Sequence, residues 1–195
     1  MVRTRAQRKE TGDELDTEYK KQSLGSQYNT LMARYPFVMN EVQSTIITCS
    51  AVMSSSVISG TQQNWGEVVT MAIVTLTLIT PVLMQWFGYL NRSGMPLVPQ
   101  LLVDQLVFSP ILTSAILIWR SVVSNLITTQ SFDLATVSSL PAEVIPIIPG
   151  IMIKSWCFWI PIRLLILKFI PPMHHVVLGS LFSFLWNIIL ALALK

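Results

Sequence analysis

Asp104 is the residue of this chain that most clearly invites a chemical role. It stands beside Gln105, near the start of a long apolar segment that ends close to Trp119 and Arg120. An ionisable group within an apolar segment is by default a functional candidate, because hydrocarbon solvates charge poorly. Two interpretations stay open: a structural carboxylate, at headgroup depth or ion-paired with Arg163, Lys154 or Lys168, and a pore-lining or gating carboxylate.

Two polar helix faces extend this hypothesis. Residues on one face of the segment that follows Asp104 recur at helical spacing, namely Gln105, Ser109, Thr113 and Arg120. The first apolar segment has a similar face, formed by Glu41, Thr45, Thr48, Ser55 and Ser59. Such faces could line a hydrated path, since selectivity in a pore depends on its donors, acceptors and radius. Serine and threonine also let helices pack closely in lipid, so close packing is the alternative.

No constellation for catalysis or metal binding is recognisable in the sequence. Cys49 and Cys157 lie in apolar segments and lack metal-ligand spacing. His174 and His175 are adjacent, so on a helix they point to different faces, which is poor geometry for one metal ion. An enzyme would need clustered carboxylates, a nucleophile with a base, or a metal set. We therefore expect no enzymatic activity, no metal and no cofactor.

The distribution of charge along the chain indicates whether its apolar segments are surrounded by water or by lipid. Twelve of the 23 Asp, Glu, Lys and Arg residues lie in the first 34 positions. Formal charge is absent from Val42 to Gly66, from Val68 to Asn91 and from Phe169 to Leu194. A charged side chain costs about 2.5–3.5 kcal/mol at the centre of an inserting helix, so long uncharged apolar stretches are typical of membrane spans.

The resulting fold class is an all-α, polytopic helical bundle in a membrane. We predict four spans, at about 37–59, 68–90, 101–123 and 173–194, each long enough to cross a core of about 30 Å. Residues 140–170 are apolar but rich in proline, and we predict a broken helix there that could form a fifth span. Within it, Arg163 could lie over the Trp159 ring. Four spans would put both termini on one side, and five would put them on opposite sides.

The N-terminal region differs in character from the rest of the chain. Residues 1–27 are polar and are predicted to be a disordered tail, so that residues 28–195 form a single membrane-embedded domain. The first 36 residues hold no apolar stretch of a secretory signal, and their acidic residues are atypical of a mitochondrial presequence. The basic residues of the tail are too few and too mixed with acids for a nucleic-acid surface. The expected partners are lipid, small solutes and further copies of the chain.

A series of short motifs carries a family resemblance. The first is Tyr28, Leu31 and Pro36; then comes Pro81, five residues before Trp86 and Phe87. The segment from Leu101 to Pro110, LLVDQLVFSP, contains Asp104 and Gln105. The later motifs are Trp156, Trp159 and Pro161, then Pro171, then Trp186 and Asn187. Their order and spacing resemble those of the Mpv-seventeen and 22-kilodalton peroxisomal membrane protein family, over residues 28–195. The Trp-x-x-Trp-x-Pro spacing is closer to the peroxisomal branch.

The resemblance implies an integral membrane protein of peroxisomes, or alternatively of the inner mitochondrial membrane. Members of that family are described as channels or pores for small solutes that maintain the organelle. The alternative is a non-conducting scaffold or accessory protein. The chain departs from the family pattern at four places: Ser55-Ser56 replaces Gly-Asp, Arg163 replaces Gln, Ile166 replaces Asn, and His175 replaces Arg.

Overall fold

The computed structural model describes residues 25–130 and 134–193. Contacts divide the chain into two compact units, one ending at Met39 and the other beginning at Asn40. In the first unit, helix α1 covers residues 25–34 and is followed by the start of the next helix. Residues 1–24 of the predicted polar tail lie outside the described residues, and residues 25–27 are helical.

From Pro36 onward, the described chain is helical almost throughout. The helices are α2 (Pro36–Ser59), α3 (Trp65–Arg92), α4 (Leu97–Thr129), α5 (Leu134–Val144), α6 (Ile148–Phe169) and α7 (His175–Ala193). One 3-10 turn, Ile145–Ile147, joins α5 to α6, and another, Pro172–His174, leads into α7. The all-α fold class predicted from the sequence is confirmed.

Local sequence signals explain where helices begin and end. α2 ends at Ser59 and is followed by Gly60, whose φ of +70° lies in the left-handed region that glycine adopts without steric cost. There, the backbone N–H of Thr61 donates to the Ser56 carbonyl at 3.1 Å, which satisfies one of the last carbonyls of the helix. α3 then begins at the N-cap Asn64, whose side-chain oxygen accepts from the Glu67 N–H at 3.2 Å.

Two of the long helices contain a wide π turn directly before a proline. In α3 the turn is Thr75–Ile79, before Pro81, and in α4 it is Val103–Phe108, before Pro110. Proline has no N–H and its ring crowds the preceding turn, so a regular helix is not possible there. Local widening is one of the ways in which a membrane helix tolerates proline. The sequence predicts a kink at Pro81, and the structure shows a π turn at this place.

The proline-rich segment is more regular than the sequence suggests. Its one irregular turn is the 3-10 turn Ile145–Ile147, and α6 continues through Pro161 to Phe169. Together, α5 and α6 provide a stretch from Val137 to Phe169 that is apolar and long enough to cross a membrane. The predicted break in residues 140–170 is therefore confined to about one turn.

Five helical segments of the described chain are long and apolar enough to be spans. They are Pro36–Ser59, Trp65–Arg92, Leu97–Thr129, Val137–Phe169 and Pro172–Ile189. The longest have 33 residues, about 50 Å at 1.5 Å per residue, which exceeds a hydrocarbon core of about 30 Å. The longest segments must therefore tilt in the membrane or extend beyond it.

α3 and α4 pack antiparallel in the second unit. Trp86 near the end of α3 contacts Asp104 near the start of α4, and Glu67 at the start of α3 contacts Arg120 near the end of α4. Further cores join α4 to the α5–α6 segment, where Leu117 and Ile118 pack against a cluster that includes Ile148. α3 packs on α7 through a second cluster, formed by Phe87, Leu90 and Val176.

Polar and apolar residues are distributed as lipid solvation requires. Large apolar side chains such as Val57, Ile111 and Phe169 are more than 60% exposed. Polar residues are among the most deeply buried, including Thr75, Thr80, Asp104 and Ser44. In a bundle surrounded by lipid tails the exterior needs no polar groups, and polar side chains face the interior.

The five spans predict which loops share a side of the membrane. In a variant without native cysteines, Gln62→Cys and Gln130→Cys should react with an impermeant maleimide from one side. Ser93→Cys and Met173→Cys should react from the other side, because α5 and α6 together make one crossing. Labelling of positions 130 and 173 from the same side would show that the segment does not cross.

Candidate functional site

Asp104 lies at the centre of a buried polar cluster formed by α3, α4 and α6. Its Oδ1 accepts a hydrogen bond from Trp86 Nε1 at 2.7 Å. Its Oδ2 accepts from Gln105 Nε2 at 2.8 Å and lies 3.1 Å from Arg163 Nε. The Asp104 side chain is 2% exposed and that of Arg163 is 10% exposed. Three donors, one of them charged, compensate the loss of water around this carboxylate.

The π turn of α4 explains why two consecutive residues can both point inward. Asp104 and Gln105 are both buried, although neighbours on a regular helix differ in direction by about 100°. They lie within the turn Val103–Phe108, where the N–H of Ser109 donates to the Asp104 carbonyl, five residues earlier. The wide turn therefore brings a carboxylate and an amide into one cluster, and π turns are frequent at functional sites.

Two tryptophans from the neighbouring helices α3 and α6 contact this π turn. Trp86 of α3 stacks on Phe108 with ring centroids 4.1 Å apart and planes 4° apart, which fixes the direction of its N–H toward Asp104. Trp156 of α6 donates from Nε1 to the Gln105 carbonyl at 3.0 Å. Both indole groups combine an apolar ring with one donor, so each can pack in an apolar interior and still complete a polar contact.

Arg163 is held by an aromatic ring as well as by Asp104. Its guanidinium carbon lies 4.4 Å from the centroid of Phe87, a cation–π contact. The expectation that it lies over Trp159 was wrong: Trp159 packs edge-on against Phe158, and α3 supplies the ring for Arg163. The opposite partner of Phe87 is His175, whose ring meets it edge-on at 5.6 Å and whose Nε2 lies 2.9 Å from the Ile170 carbonyl.

A cavity of about 230 Å³ adjoins this arrangement. Phe87 contributes to its wall, so the ring that covers Arg163 also borders an open space. The lining comes from the end of α3, the start of α4 and the connection from α6 to α7, namely Phe87, Leu90, Asn91, Gln100, Leu167, Ile170, Pro172 and His175. The volume is sufficient for several water molecules or one small solute.

A second ion pair lies at the other end of the α3–α4 pair. Arg120 Nη2 is 2.7 Å from Glu67 Oε1, and the two side chains are 45% and 25% exposed. Nearby, Trp119 Nε1 donates to Thr77 Oγ1 at 2.8 Å. The exposure of this pair, together with a neighbouring tryptophan, is typical of a membrane interface, where such ion pairs contribute about 0–1 kcal/mol.

The two predicted polar faces are distributed over several environments. Gln105 joins the Asp104 cluster, and Arg120 belongs to the distant exposed pair. Ser109 and Thr113 are half-buried, as are Thr45, Thr48 and Ser55, whereas Glu41 is buried and Ser59 is exposed. Among the described residues, no hydrogen bond or ion pair joins one face to the other, so a path lined by both stays a prediction.

The sequence singles out Asp104 and includes Arg163 among its possible partners, but it does not predict the contacts of the Phe87 and His175 rings. Phe87 carries no recognisable signal beyond its place beside Trp86. For His175 the sequence suggests a capping or interface role, whereas the side chain is buried against Phe87. Notably, Arg163 and His175 are two of the four departures from the family pattern, and both contact this one ring.

The remaining motif residues connect the last two helices. Phe158, between Trp156 and Trp159 on α6, packs on Trp186 of α7 with ring centroids 4.9 Å apart. Asn187 Nδ2 donates to the Ser183 carbonyl one turn earlier, at 2.8 Å. Within the described residues, no group of three His, Cys, Asp or Glu side chains could hold a metal ion. The three contacts of Asp104 leave its carboxylate poorly suited to ligate one.

Fold and cluster together define a class of protein: a polytopic helical bundle with an apolar exterior and a buried, hydrogen-bonded ion pair. Comparison with known proteins shows which family the chain is similar to. Residues 135–191 match the model of the Mpv17 / PMP22 family. The chain is also similar to the PXMP2/4 family protein 1 of Dictyostelium discoideum, with 20% identity over 176 residues, which cover 86% of this chain and 83% of the relative. No solved structure matches the chain.

The family match and the relative confirm the resemblance to the Mpv17/PMP22 family that the sequence motifs indicate. The match covers the motifs from Trp156 to Asn187, on α6 and α7. Asp104 and Trp86 lie outside the matched residues, and their connection to that region is the tertiary contact with Arg163 and Trp156. The protein is therefore a helical bundle with several apolar segments long enough to cross a membrane, and it is similar to this family.

The cluster makes a strong prediction about stability. Asp104→Asn should lower the free energy of unfolding by about 3–5 kcal/mol, because it leaves the Arg163 charge buried without a counter-charge. The measurement is thermal or denaturant unfolding of the purified protein in detergent. Combining it with Arg163→Gln should recover most of the loss, since two neutral amides can hydrogen-bond. Glu67→Gln is the matched control, for which about 1 kcal/mol or less is expected.

Proposed function

We propose that this protein is a channel for small solutes in an organelle membrane. The observation that carries the proposal is the Asp104–Arg163 pair, buried inside a bundle whose exterior is apolar and adjoining a cavity through the Phe87 ring. Charged groups within membrane helices are rare, face the interior and are characteristic of solute or ion pathways. The family resemblance supports the same function.

In this proposal the observed geometry is the closed state of the channel. Asp104 is bound from three helices, by Trp86 of α3, Gln105 of α4 and Arg163 of α6. The cavity beyond Phe87 is bordered by the ends of α3 and α4 and by the connection from α6 to α7. For a path past Asp104 to open, either Arg163 or the Trp86 indole must move away from the Asp104 carboxylate. The free energy of these contacts then determines how often the path opens. Asp104 and Arg163 are gating residues in this mechanism.

A non-conducting scaffold is the second candidate function. It is favoured by one observation, the complete pairing of the Asp104 carboxylate, since a paired cluster can act as structural support alone. We propose no enzymatic role, because the cluster lacks a nucleophile with a neighbouring base. Among partners, we propose lipid and further copies of the chain, with small polar solutes as the permeating species.

We propose the peroxisomal membrane as the location, with the mitochondrial inner membrane as the alternative. Support comes from the Trp156-x-x-Trp159-x-Pro161 spacing and from the similarity to a PXMP2/4 family protein. A tagged chain should remain with peroxisomes in a density gradient and resist extraction by alkaline carbonate. Recovery with mitochondria after removal of peroxisomes would favour the alternative.

Planar bilayers provide the test that separates channel from scaffold. The purified protein should show discrete conductance steps. Asp104→Asn should increase the open probability or alter ion selectivity, because it removes the counter-charge that retains Arg163.

The matched control is Glu143→Gln, which also removes one negative charge but at an exposed position whose contact is Ser139. It should leave both properties unchanged. Bilayers that stay silent over a range of voltages with folded protein would contradict the channel and leave the scaffold. Equal effects of both variants would contradict a gating role of Asp104.

A further inference from the structure

The bundle contains a second buried carboxylate, and its environment is the opposite of that of Asp104. Glu41 of α2 is 6% exposed. Both carboxylate oxygens are inaccessible to solvent, and among the described residues neither has a hydrogen-bond partner. No basic side chain of the described chain forms an ion pair with it. An ionised carboxylate in this condition is costly to bury and requires compensation.

The groups around Glu41 are hydroxyls. Thr80 of α3 is 0% exposed and its hydroxyl faces the Glu41 carboxylate, but no hydrogen bond of standard geometry forms between them. Thr45, one turn after Glu41, has a buried Oγ1 that is equally unpartnered. On the same face, Ser44 Oγ accepts from Ser180 Oγ of α7 at 2.9 Å, so α7 closes the α2 side of this region. The Glu41 carboxylate and the hydroxyls of Thr45 and Thr80 therefore form a group of oxygen atoms with no positively charged side chain paired to it.

The backbone of α3 is irregular directly before Thr80. Thr80 directly follows the π turn Thr75–Ile79 and directly precedes Pro81. Because Pro81 has no N–H, one carbonyl of this turn lacks its helical donor. In membrane proteins, carbonyls of irregular helical turns are the groups that coordinate small cations near the middle of the bundle.

The chemistry of these groups selects the ligand. Carboxylate, hydroxyl and carbonyl oxygens are hard ligands that suit alkali and alkaline-earth ions, whereas transition metals prefer nitrogen and sulfur. Calcium and magnesium sites use several oxygen ligands and favour more than one carboxylate. The one charge of Glu41 matches one positive charge, so a monovalent ion gives a neutral buried site.

We propose that Glu41, Thr80 and Thr45 form a binding site for one alkali cation, Na⁺ or K⁺, between α2 and α3. Bound, the ion compensates the Glu41 charge and joins two helices that share no ion pair in the described chain. Asp104 does not compete for it, since three donors already occupy that carboxylate. The site is independent of whether the protein conducts solutes.

Thermal unfolding in detergent provides the test. The melting temperature of the full chain is measured in NaCl, KCl and choline chloride at matched ionic strength and one mildly alkaline pH. At an ion concentration ten times Kd, the folded state should be favoured about elevenfold over that in choline, which corresponds to a rise of a few degrees. Equilibrium binding of radioactive sodium or rubidium to the purified protein should saturate at one ion per chain.

Three variants make the result specific. Glu41→Gln should abolish the ion-dependent shift and should melt in choline at or above the wild-type temperature, because it removes an uncompensated charge. Thr80→Val should weaken ion binding at least tenfold and serves as the second variant if Glu41→Gln does not fold. Glu143→Gln, at an exposed site, should behave like the wild type.

The proposal is overturned if sodium, potassium and choline give the same melting temperature in the wild type. It is also overturned if the salt-specific shift persists in Glu41→Gln or is undiminished in Thr80→Val. Because binding is measured in detergent, a positive result stands even if planar bilayers show no conductance, and conductance without ion binding refutes this site alone.

Discussion

The ion pair between Asp104 and Arg163 is the interaction on which the arrangement of the bundle depends. It joins α4 to α6, while Trp86 attaches α3 to the same carboxylate and Phe87 covers the guanidinium. In a lipid solvent, apolar helices gain little by leaving their surroundings for one another, so polar contacts have a large share in defining register. A slip of one residue in α4 would turn the carboxylate away from Trp86 of α3 and Arg163 of α6. The pair therefore fixes which faces meet, and the apolar cores around Phe87 and Ile148 follow from that register.

Irregular backbone supplies the polar geometry of this protein. The π turns before Pro81 and Pro110 occur where proline removes a donor, and each places unusual polar groups inward. In α4 the turn brings Asp104 and Gln105 into one cluster, and in α3 the turn is followed directly by Thr80, which faces the carboxylate of Glu41. In a regular helix, either Asp104 or Gln105 would point toward lipid. Proline therefore has a constructive role, since the widened turns create the sites that the polar residues occupy.

The two buried carboxylates show how the same chemical group can serve different purposes in one interior. Asp104 is surrounded by donors and holds helices together, whereas Glu41 lies among uncharged oxygen atoms and is suited to bind a cation. The two carboxylates also differ in that Asp104 has a positively charged partner, Arg163. Arg163 and His175 depart from the family pattern and both contact Phe87, so this chain builds the surroundings of Asp104 from α6 as well as from α7.

The sequence by itself determined the solvent, the helical class and the approximate spans, because apolar stretches of twenty or more residues without charge are characteristic of helices that cross a membrane. It also singled out Asp104 and the motif residues, since an isolated charge is conspicuous in an apolar segment. Tertiary structure alone decided the rest. Which of Arg163, Lys154 and Lys168 meets Asp104 depends on the rotation of α6, and the partnership of Phe87 with Arg163 and His175 depends on contacts between helices distant in sequence. Helical periodicity gives the face of one helix, and it contains no information about the opposing face.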